Sequence, residues 1–202
     1  MLAAGVLTAC AGRAPAPRTA PGRVALPPAP SAEDVEALRA RRLAVPVAGV
    51  PAERLTSSFA AARDGGGRLH LAADIMAPRG TPVLSADDGR IWKLRSNALG
   101  GITMYATDPA ERFVYYYAHL DRYRDGLAEG AAVLRGDTLG YVGTTGNAPP
   151  GAPHLHFQVA RIGAAGQWWG GAPIDPVPFL REAAGASPLP GALATAPRAT
   201  PA

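Results

Sequence analysis

The stretch APPGAPHLHFQVA, from Ala148 to Ala160, decides how this sequence is interpreted. It holds two of the four histidines of the chain, His154 and His156, with one leucine between them. A proline- and glycine-rich turn leads into an alternating run that is typical of a β-strand. Because alternate side chains of a strand share a face, both imidazoles are predicted to lie on one side of a sheet, with Leu155 and Phe157 on the other.

Length and composition indicate one domain with extended termini. The 202 residues suffice for one ordinary domain with a hydrophobic core. Apolar residues make up 48%, as in globular proteins, whereas 24 Gly and 21 Pro indicate many turns and unstructured ends. The net charge of +4 is compatible with an anionic polymer such as cell wall. Because the basic residues form no stripe interleaved with aromatics, we expect no nucleic-acid partner.

Residues 45–180 have the pattern of a mainly β domain. Short apolar runs, several of them alternating with polar residues, are separated by Gly, Pro, Asp and Asn. Asp88-Gly89 and Gly100-Gly101 have the chemistry of hairpin turns. We therefore predict a single compact, mainly antiparallel β-sheet domain over residues 45–180.

The segments that flank this domain have other compositions. Residues 31–44 are predicted to form a short helix, with Ser31 as N-cap, acidic residues in the first turn and arginines in the last. Residues 11–30, rich in Ala and Pro, are predicted to be a disordered tether, and residues 181–202 a disordered tail. Both contain few residues that could pack into a core.

The single cysteine, Cys10, ends the short apolar segment MLAAGVLTAC, residues 1–10. One interpretation is an apolar segment with an incidental thiol. The other is a lipoprotein signal, because LTAC resembles a lipobox and a flexible tether follows it, although the positive charge that usually opens a secretory signal is missing. We expect export to the cell envelope, in the periplasm, and a lipid anchor through Cys10.

The four histidines all fall inside the predicted β domain. His70 precedes Asp74 by four positions in RLHLAADIMAP, and His119 follows the aromatic run YYYA. Taken singly, each is more often a hydrogen-bonded strand residue than a functional group. Two histidines and one aspartate are, however, a donor set that zinc accepts, with a fourth position left for water. The remaining two histidines would be free to carry protons or to stabilise charge.

These motifs resemble those of a known family. HLAAD resembles the H-x-x-x-D motif, and HLHF the H-x-H motif, of the M23 zinc metallopeptidases, the lysostaphin and LytM-type peptidoglycan endopeptidases. The blocks APRGTPVLSADDGRI, YYYAHLDRY, GDTLGYVGTTGNA and IDPVPFL follow in the order and at the spacing of that family. The resemblance covers roughly residues 45–180 and implies the lysostaphin/LytM fold, with its duplicated hybrid motif.

The resemblance implies a role for five residues. By position, His70, Asp74 and His156 correspond to the three ligands of one zinc ion. His119 and His154 correspond to the two histidines that the family places beside the reacting water. Zinc lowers the pKa of bound water to about 7 and polarises a scissile carbonyl. The sequence leaves open which histidine is the general base.

A few positions depart from the family or have no assigned role. Ala60 and Ala72 stand where the family usually has glycine, so strain is expected there if the backbone needs a positive φ. Arg63, Asn147 and the Thr144-Thr145 turn either line the groove or are ordinary turn residues.

Three functions remain open at this stage. The first is a zinc endopeptidase that cleaves the cross-links between peptide stems of peptidoglycan. The second is a catalytically silent LytM-type envelope protein that binds or activates another wall hydrolase, and the third is an envelope protein without metal. The five residues named above favour the first, because silent relatives tend to replace them. A monomer with one zinc per chain is expected, and the cross-link could be of the diaminopimelate or the glycine type.

Overall fold

The structure, a computed structural model, describes residues 27, 29–163 and 171–185. Within those residues it contains two α-helices, α1 (Ala32–Arg41) and α2 (Val177–Gly185). Short 3-10 helices lie at Ala52–Arg54 and Asp64–Gly66. The strands, in chain order, are β1 (Ala62–Arg63), β2 (Arg68–Leu69), β3 (Ala73–Met76), β4 (Pro82–Leu84), β5 (Gly89–Asn97), β6 (Gly101–Thr107), β7 (Phe113–Tyr123), β8 (Ala132–Val133), β9 (Thr138–Val142), β10 (His154–Arg161) and β11 (Ala172–Ile174).

Nine of these strands form one sheet, and β1 pairs separately with β2. The main order is β11-β10-β7-β6-β5-β8, with β3 beside β10 and with β9 between β4 and β7. Every strand pairing in the described part of the chain is antiparallel. The prediction of a mainly antiparallel β-sheet domain is confirmed.

The long strand β7 changes its neighbour halfway along. Up to Ala118 it pairs with β10, and from Leu120 onward it pairs with β9. His119 lies at the change and has a left-handed backbone, with φ 61°. The strand does not end with the aromatic run and His119, because β7 continues to Tyr123.

Strand β10 has the two faces that its alternation predicts. Leu155, Phe157 and Val159 are fully buried in the hydrophobic core. His154 and His156 alternate with these residues and lie on the opposite face. The core face therefore fixes the register of β10, because a slip by one residue would bury the imidazoles.

Helix α1 is held on the domain by a buried ion pair. Ser31 caps the helix by accepting a hydrogen bond from the backbone N–H of Asp34 at 3.1 Å. Near its other end Arg41 donates from Nε and Nη2 to the two carboxylate oxygens of Asp87, at 2.6 and 2.9 Å. The Asp87 side chain has no exposed surface, and Tyr115 donates to it at 2.8 Å. Because a buried carboxylate needs compensating partners, this contact makes α1 part of the domain.

Replacing Arg41 with Met is expected to lower the free energy of unfolding by about 3 kcal/mol, because it leaves the buried Asp87 carboxylate without its main positive partner. Denaturant unfolding at neutral pH measures the change. Arg39→Met is the matched control on the same helix, since Arg39 is paired with Glu36 and Glu182 at the surface. Equal destabilisation by the two substitutions would contradict this account.

Two predicted boundaries need correction. The short helix expected over residues 31–44 ends earlier, at Arg41, because Arg42 follows in a left-handed conformation with φ 51°. The predicted disordered tail began at residue 181, but α2 continues to Gly185. Val177 and Leu180 of α2 are buried in the core, and Glu182 forms an ion pair with Arg39 of α1, so the packed helix extends past the predicted boundary.

One predicted hairpin is wrong and the other is confirmed. Asp88-Gly89 does not join paired strands, because β4 pairs with β9 whereas β5 pairs with β6 and β8. Glycine is needed at residue 89 for another reason: a Cβ there would lie 1.8 Å from the carbonyl oxygen of Thr107. The hairpin at Gly100-Gly101 joins β5 to β6, where Asn97 pairs with Gly101.

Several expectations concern parts of the chain outside the described residues. These are the signal-like segment 1–10 with Cys10, nearly all of the tether 11–30, and residues 186–202 of the predicted tail. Among the residues that are described, no helix is long and apolar enough to cross a membrane.

Candidate metal centre

Pairing of β3 with β10 brings together three residues that the motifs singled out. Asp74 lies directly opposite His156 in the antiparallel ladder, and His70 ends the short β1–β2 hairpin just before β3. His70 Nε2 is 2.8 Å from Asp74 Oδ1 and 3.1 Å from His156 Nδ1. His156 Nδ1 is in turn 3.1 Å from the same carboxylate oxygen. Three donor atoms thus face one point.

The spacing of these donor atoms fits a small tetrahedral cation. Ligands at the Zn–N and Zn–O distances of proteins lie about 3.3 Å apart in a tetrahedron. The three separations of 2.8, 3.1 and 3.1 Å are close to that value. Among the described residues, His70, Asp74 and His156 are the group of His, Cys, Asp or Glu side chains able to hold a metal ion.

The pKa shifts of Asp74 and His156 favour the states that a metal ligand set needs, a charged carboxylate and a neutral imidazole. Burial alone would raise the pKa of Asp74, but its contacts with His156 and His70 outweigh the effect of burial and hold that pKa well below its usual range. Burial lowers the pKa of His156, against the attraction of Asp74. Asp74 is therefore charged and His156 neutral at pH 7.

Two further residues orient the side chains of this donor cluster. Ser58 contacts His70 Nδ1 through its hydroxyl at 2.9 Å and its carbonyl at 3.2 Å, which directs Nε2 toward the donor cluster. Arg63 donates to Asp74 Oδ2 at 2.7 Å, so Oδ1 is the carboxylate oxygen that faces the two imidazoles. Such contacts fix the geometry of metal ligands. Sequence reasoning gave Ser58 no role, because twelve residues separate it from His70 and no spacing rule connects them.

The other two histidines are held by backbone carbonyl groups. His119 Nδ1 is 2.8 Å from the carbonyl oxygen of Thr145, and His154 Nδ1 is 2.8 Å from that of Ala152. Because a carbonyl oxygen only accepts, Nδ1 carries the proton in both rings, and a neutral ring then has its lone pair on Nε2. His154 Nε2 lies 3.7 Å from Asp74 Oδ1, so this ring points at the donor cluster.

The two rings lie side by side. The centroids of His119 and His154 are 4.9 Å apart, and those of His119 and His156 are 5.6 Å apart. Burial lowers the pKa of His119 to about 4, although the hydrogen bond to Thr145 opposes the shift. His119 is therefore neutral at pH 7, with its lone pair on Nε2.

The two alanines that stand where the family usually has glycine do not have the strained backbone that was expected for them. Ala60 and Ala72 are both described, and neither has a positive φ. In the segment around His70, the left-handed residue is Leu71, with φ 57°, whose N–H donates to the carbonyl of Phe59 at 2.9 Å. The turn beside His70 therefore has its left-handed residue at Leu71, one position before Ala72, where the family usually has glycine.

An open groove of about 560 Å³ runs over the donor cluster. Its walls include Arg63 and Asn147, as one interpretation of the sequence suggested, but not the Thr144-Thr145 turn. Met76 and Leu99 also line it, and they are exposed to 57% and 59%. The groove therefore combines polar groups at its floor with apolar side chains that a bound ligand could cover.

Similarity to known proteins agrees with this geometry. The chain is 34% identical over 122 residues to the L-Ala--D-Glu endopeptidase of Bacillus subtilis, which covers 58% of this chain and 36% of that protein. It is 39% identical over 111 residues to the DD-carboxypeptidase/endopeptidase Mpg of Neisseria meningitidis serogroup B, which covers 54% of this chain and 22% of that protein. The chain thus spans only about a third, or less, of the length of these relatives.

A solved structure shows the same fold. The catalytic domain of the antimicrobial peptidase lysostaphin from Staphylococcus simulans matches with a TM-score of 0.53 at 26% identity, over 63% of this chain and 92% of that domain. The lysostaphin/LytM-type fold that the motifs implied is confirmed. The model of peptidase family M23 matches residues 68–176, which is more than half of the chain. The chain belongs to peptidase family M23.

Proposed function

We propose that the chain is a zinc-dependent endopeptidase that hydrolyses the peptide cross-links of bacterial peptidoglycan. The observation that carries this proposal is the convergence of His70 Nε2, Asp74 Oδ1 and His156 Nδ1 within 3.1 Å of one another in an open groove. These three residues would hold one zinc ion per chain. Zinc bound there would polarise the scissile carbonyl and lower the pKa of bound water to about 7.

The chain's own residues supply the proton transfers. With Nδ1 of His119 and His154 committed to backbone carbonyls, each ring offers Nε2 to accept a proton as the attacking water forms its bond to the carbonyl carbon. Once protonated, the same Nε2–H donates to the developing oxyanion or to the leaving amine. The carbonyls of Thr145 and Ala152 hold both rings in place, so little reorganisation is needed during the reaction.

The shape of the groove supports a peptide as substrate. It is open to solvent, whereas a cross-linked polymer could not thread through a closed cavity. Met76 and Leu99 give apolar contacts suited to alanine methyl groups, and Arg63 provides a positive charge near the donor cluster. The two relatives described above are named for peptide-bond cleavage, one at L-Ala–D-Glu and the other as a DD-enzyme.

Digestion of purified sacculi tests the proposal and separates the bonds. We expect the zinc-loaded protein to convert cross-linked muropeptide dimers to monomers, identified by mass. A chelator should stop the reaction and added zinc should restore it. Cleavage between L-Ala and D-Glu would instead release stem peptides from the sugar. If no bond is cleaved by protein shown to contain zinc, the catalytically silent alternative replaces this proposal.

We also propose that Cys10 is acylated and that the mature, exported protein begins there. The small residues before Cys10 and the Ala/Pro-rich segment 11–30 support it. Intact-mass analysis of membrane fractions should detect the lipid, and Cys10→Ser should release the protein from the membrane. A wild-type protein that retains residues 1–9 and stays out of the membrane fraction would contradict this proposal.

A further inference from the structure

The ladder between β6 and β7 is interrupted beside His119. Ile102 pairs with Leu120 and Met104 pairs with Tyr117, so β7 has one residue more than β6 between these pairs. An extra residue of this kind is a β-bulge, which leaves backbone groups unpaired and re-aims a side chain. His119 lies in the bulge with φ 61°, and its N–H donates to the carbonyl of Gly100 at 2.7 Å.

The hydroxyl of Thr145 lies between β6 and β7 at this bulge. It accepts a hydrogen bond from the backbone N–H of Ile102 at 2.9 Å and donates one to the carbonyl oxygen of Leu120 at 2.7 Å. These two backbone groups belong to residues that face each other in the ladder, so the hydroxyl bridges the two strands at that pair. The carbonyl of Thr145 accepts from His119 Nδ1 at 2.8 Å. One residue thus contacts both strands and the imidazole.

Two glycines allow Thr145 to come this close. Gly101 has φ 66°, and a Cβ there would lie 2.2 Å from Thr145 Oγ1. Gly146 has φ 75°, and a Cβ there would lie 2.3 Å from the backbone nitrogen of Gly101. Asn147 N–H also donates to the carbonyl of Leu99 at 3.0 Å. The turn and the hairpin are therefore interlocked by backbone contacts.

We propose that Thr145 is the positioning residue for His119: its hydroxyl holds the bulge open, and its carbonyl fixes the Nδ1–H tautomer of the ring. Both contacts are made by one residue. A displacement of the Thr145 hydroxyl would therefore also displace the Thr145 carbonyl that accepts from His119 Nδ1. The expected effect on rate rests on the proposed peptidase function, because it requires that His119 take part in the reaction. The tautomer itself is independent of any activity.

Thr145→Val removes the hydroxyl at nearly constant volume and tests the role. We expect kcat on cross-linked peptide to fall about 10-fold to 100-fold, the scale of a catalytic group misplaced by about an ångström. KM and zinc content should stay unchanged. Thr145→Ser keeps the hydroxyl and should recover most of the lost rate. Thr144→Val makes the same chemical change one residue earlier in the turn and is the matched control.

A double-mutant cycle separates positioning from general stability. In the His119→Asn background, Thr145→Val should cost no further rate, because the ring it positions is already gone. An equal loss in both backgrounds would overturn the inference, as would a Thr145→Val enzyme with the wild-type rate.

Imidazole ¹⁵N NMR of the zinc-loaded protein gives a readout without turnover. His119 should be a single Nδ1–H tautomer in the wild type and a mixture in Thr145→Val, or in Thr145→Ala if the valine variant does not fold. An unchanged single tautomer in the variant would refute the inference. A wild-type protein that cleaves no sacculi would refute the proposed function instead, and the tautomer measurement would still decide the role of Thr145.

Discussion

Substituting alanine for His156 is expected to abolish stoichiometric zinc binding and, with it, peptidase activity. The substitution removes one of three donors and leaves only His70 and Asp74. Loss of residues that merely support a ligand weakens metal affinity by about 10-fold to 100-fold, so loss of a ligand should exceed about 100-fold. Competition with a chromophoric chelator measures the affinity, and metal analysis after dialysis measures the content.

The fold should survive this substitution, because His156 lies on the groove face of β10 whereas Leu155 and Phe157 form the buried face. Circular dichroism and thermal unfolding of the metal-free proteins check this point. Gln158→Ala is the matched control, since Gln158 follows on the same face of the same strand. It should keep its zinc. Undiminished zinc in a folded His156→Ala protein would remove this residue from the ligand set.

The pair of histidines could be placed from the sequence because strand geometry is periodic. Alternation put His154 and His156 on one face, and the apolar Leu155 and Phe157 fixed which face is buried. The local sequence pattern alone did not predict that His70 and Asp74 lie beside this histidine pair. That step needed the resemblance to the M23 family, because it depends on the pairing of β3 with β10, between residues about 80 positions apart.

Features set by contacts between distant segments could not be predicted. The turn chemistry of Asp88-Gly89 was recognised, but it does not tell which strands pair, and the glycine serves the close approach of Thr107. Thr145 was assigned to a turn of unknown role, yet it contacts His119, 26 residues earlier. The bulge that makes this contact possible depends on a register break, which leaves no periodic signal in the sequence.

The two histidines outside the ligand set should control rate and leave zinc unchanged. Asparagine is the informative replacement, because its side-chain amide can donate to the same carbonyl as Nδ1 but places no atom where Nε2 lies. His119→Asn and His154→Asn thus keep the contacts to Thr145 and Ala152 and delete the reacting nitrogen. Glutamine makes the complementary change, with its amide near the position of Nε2.

We expect both asparagine variants to bind zinc normally and to cleave cross-linked peptides at least about 100-fold more slowly than the wild type. The loss should fall on kcat and leave KM nearly unchanged, because the hydrogen bonds from Nε2 strengthen mainly in the transition state. Steady-state kinetics on a defined cross-linked peptide, with zinc content determined on the same samples, gives both quantities.

The rate of the double variant shows whether His119 and His154 act on the same step. If both rings act on the same proton transfer, the double variant should be scarcely slower than the worse single variant, because groups that act as a unit are not additive. If one ring carries the proton and the other only stabilises charge, the losses should multiply. Wild-type rates in both single variants would leave His119 and His154 without a catalytic role, and the groove would then be a binding site that has kept its metal ligands.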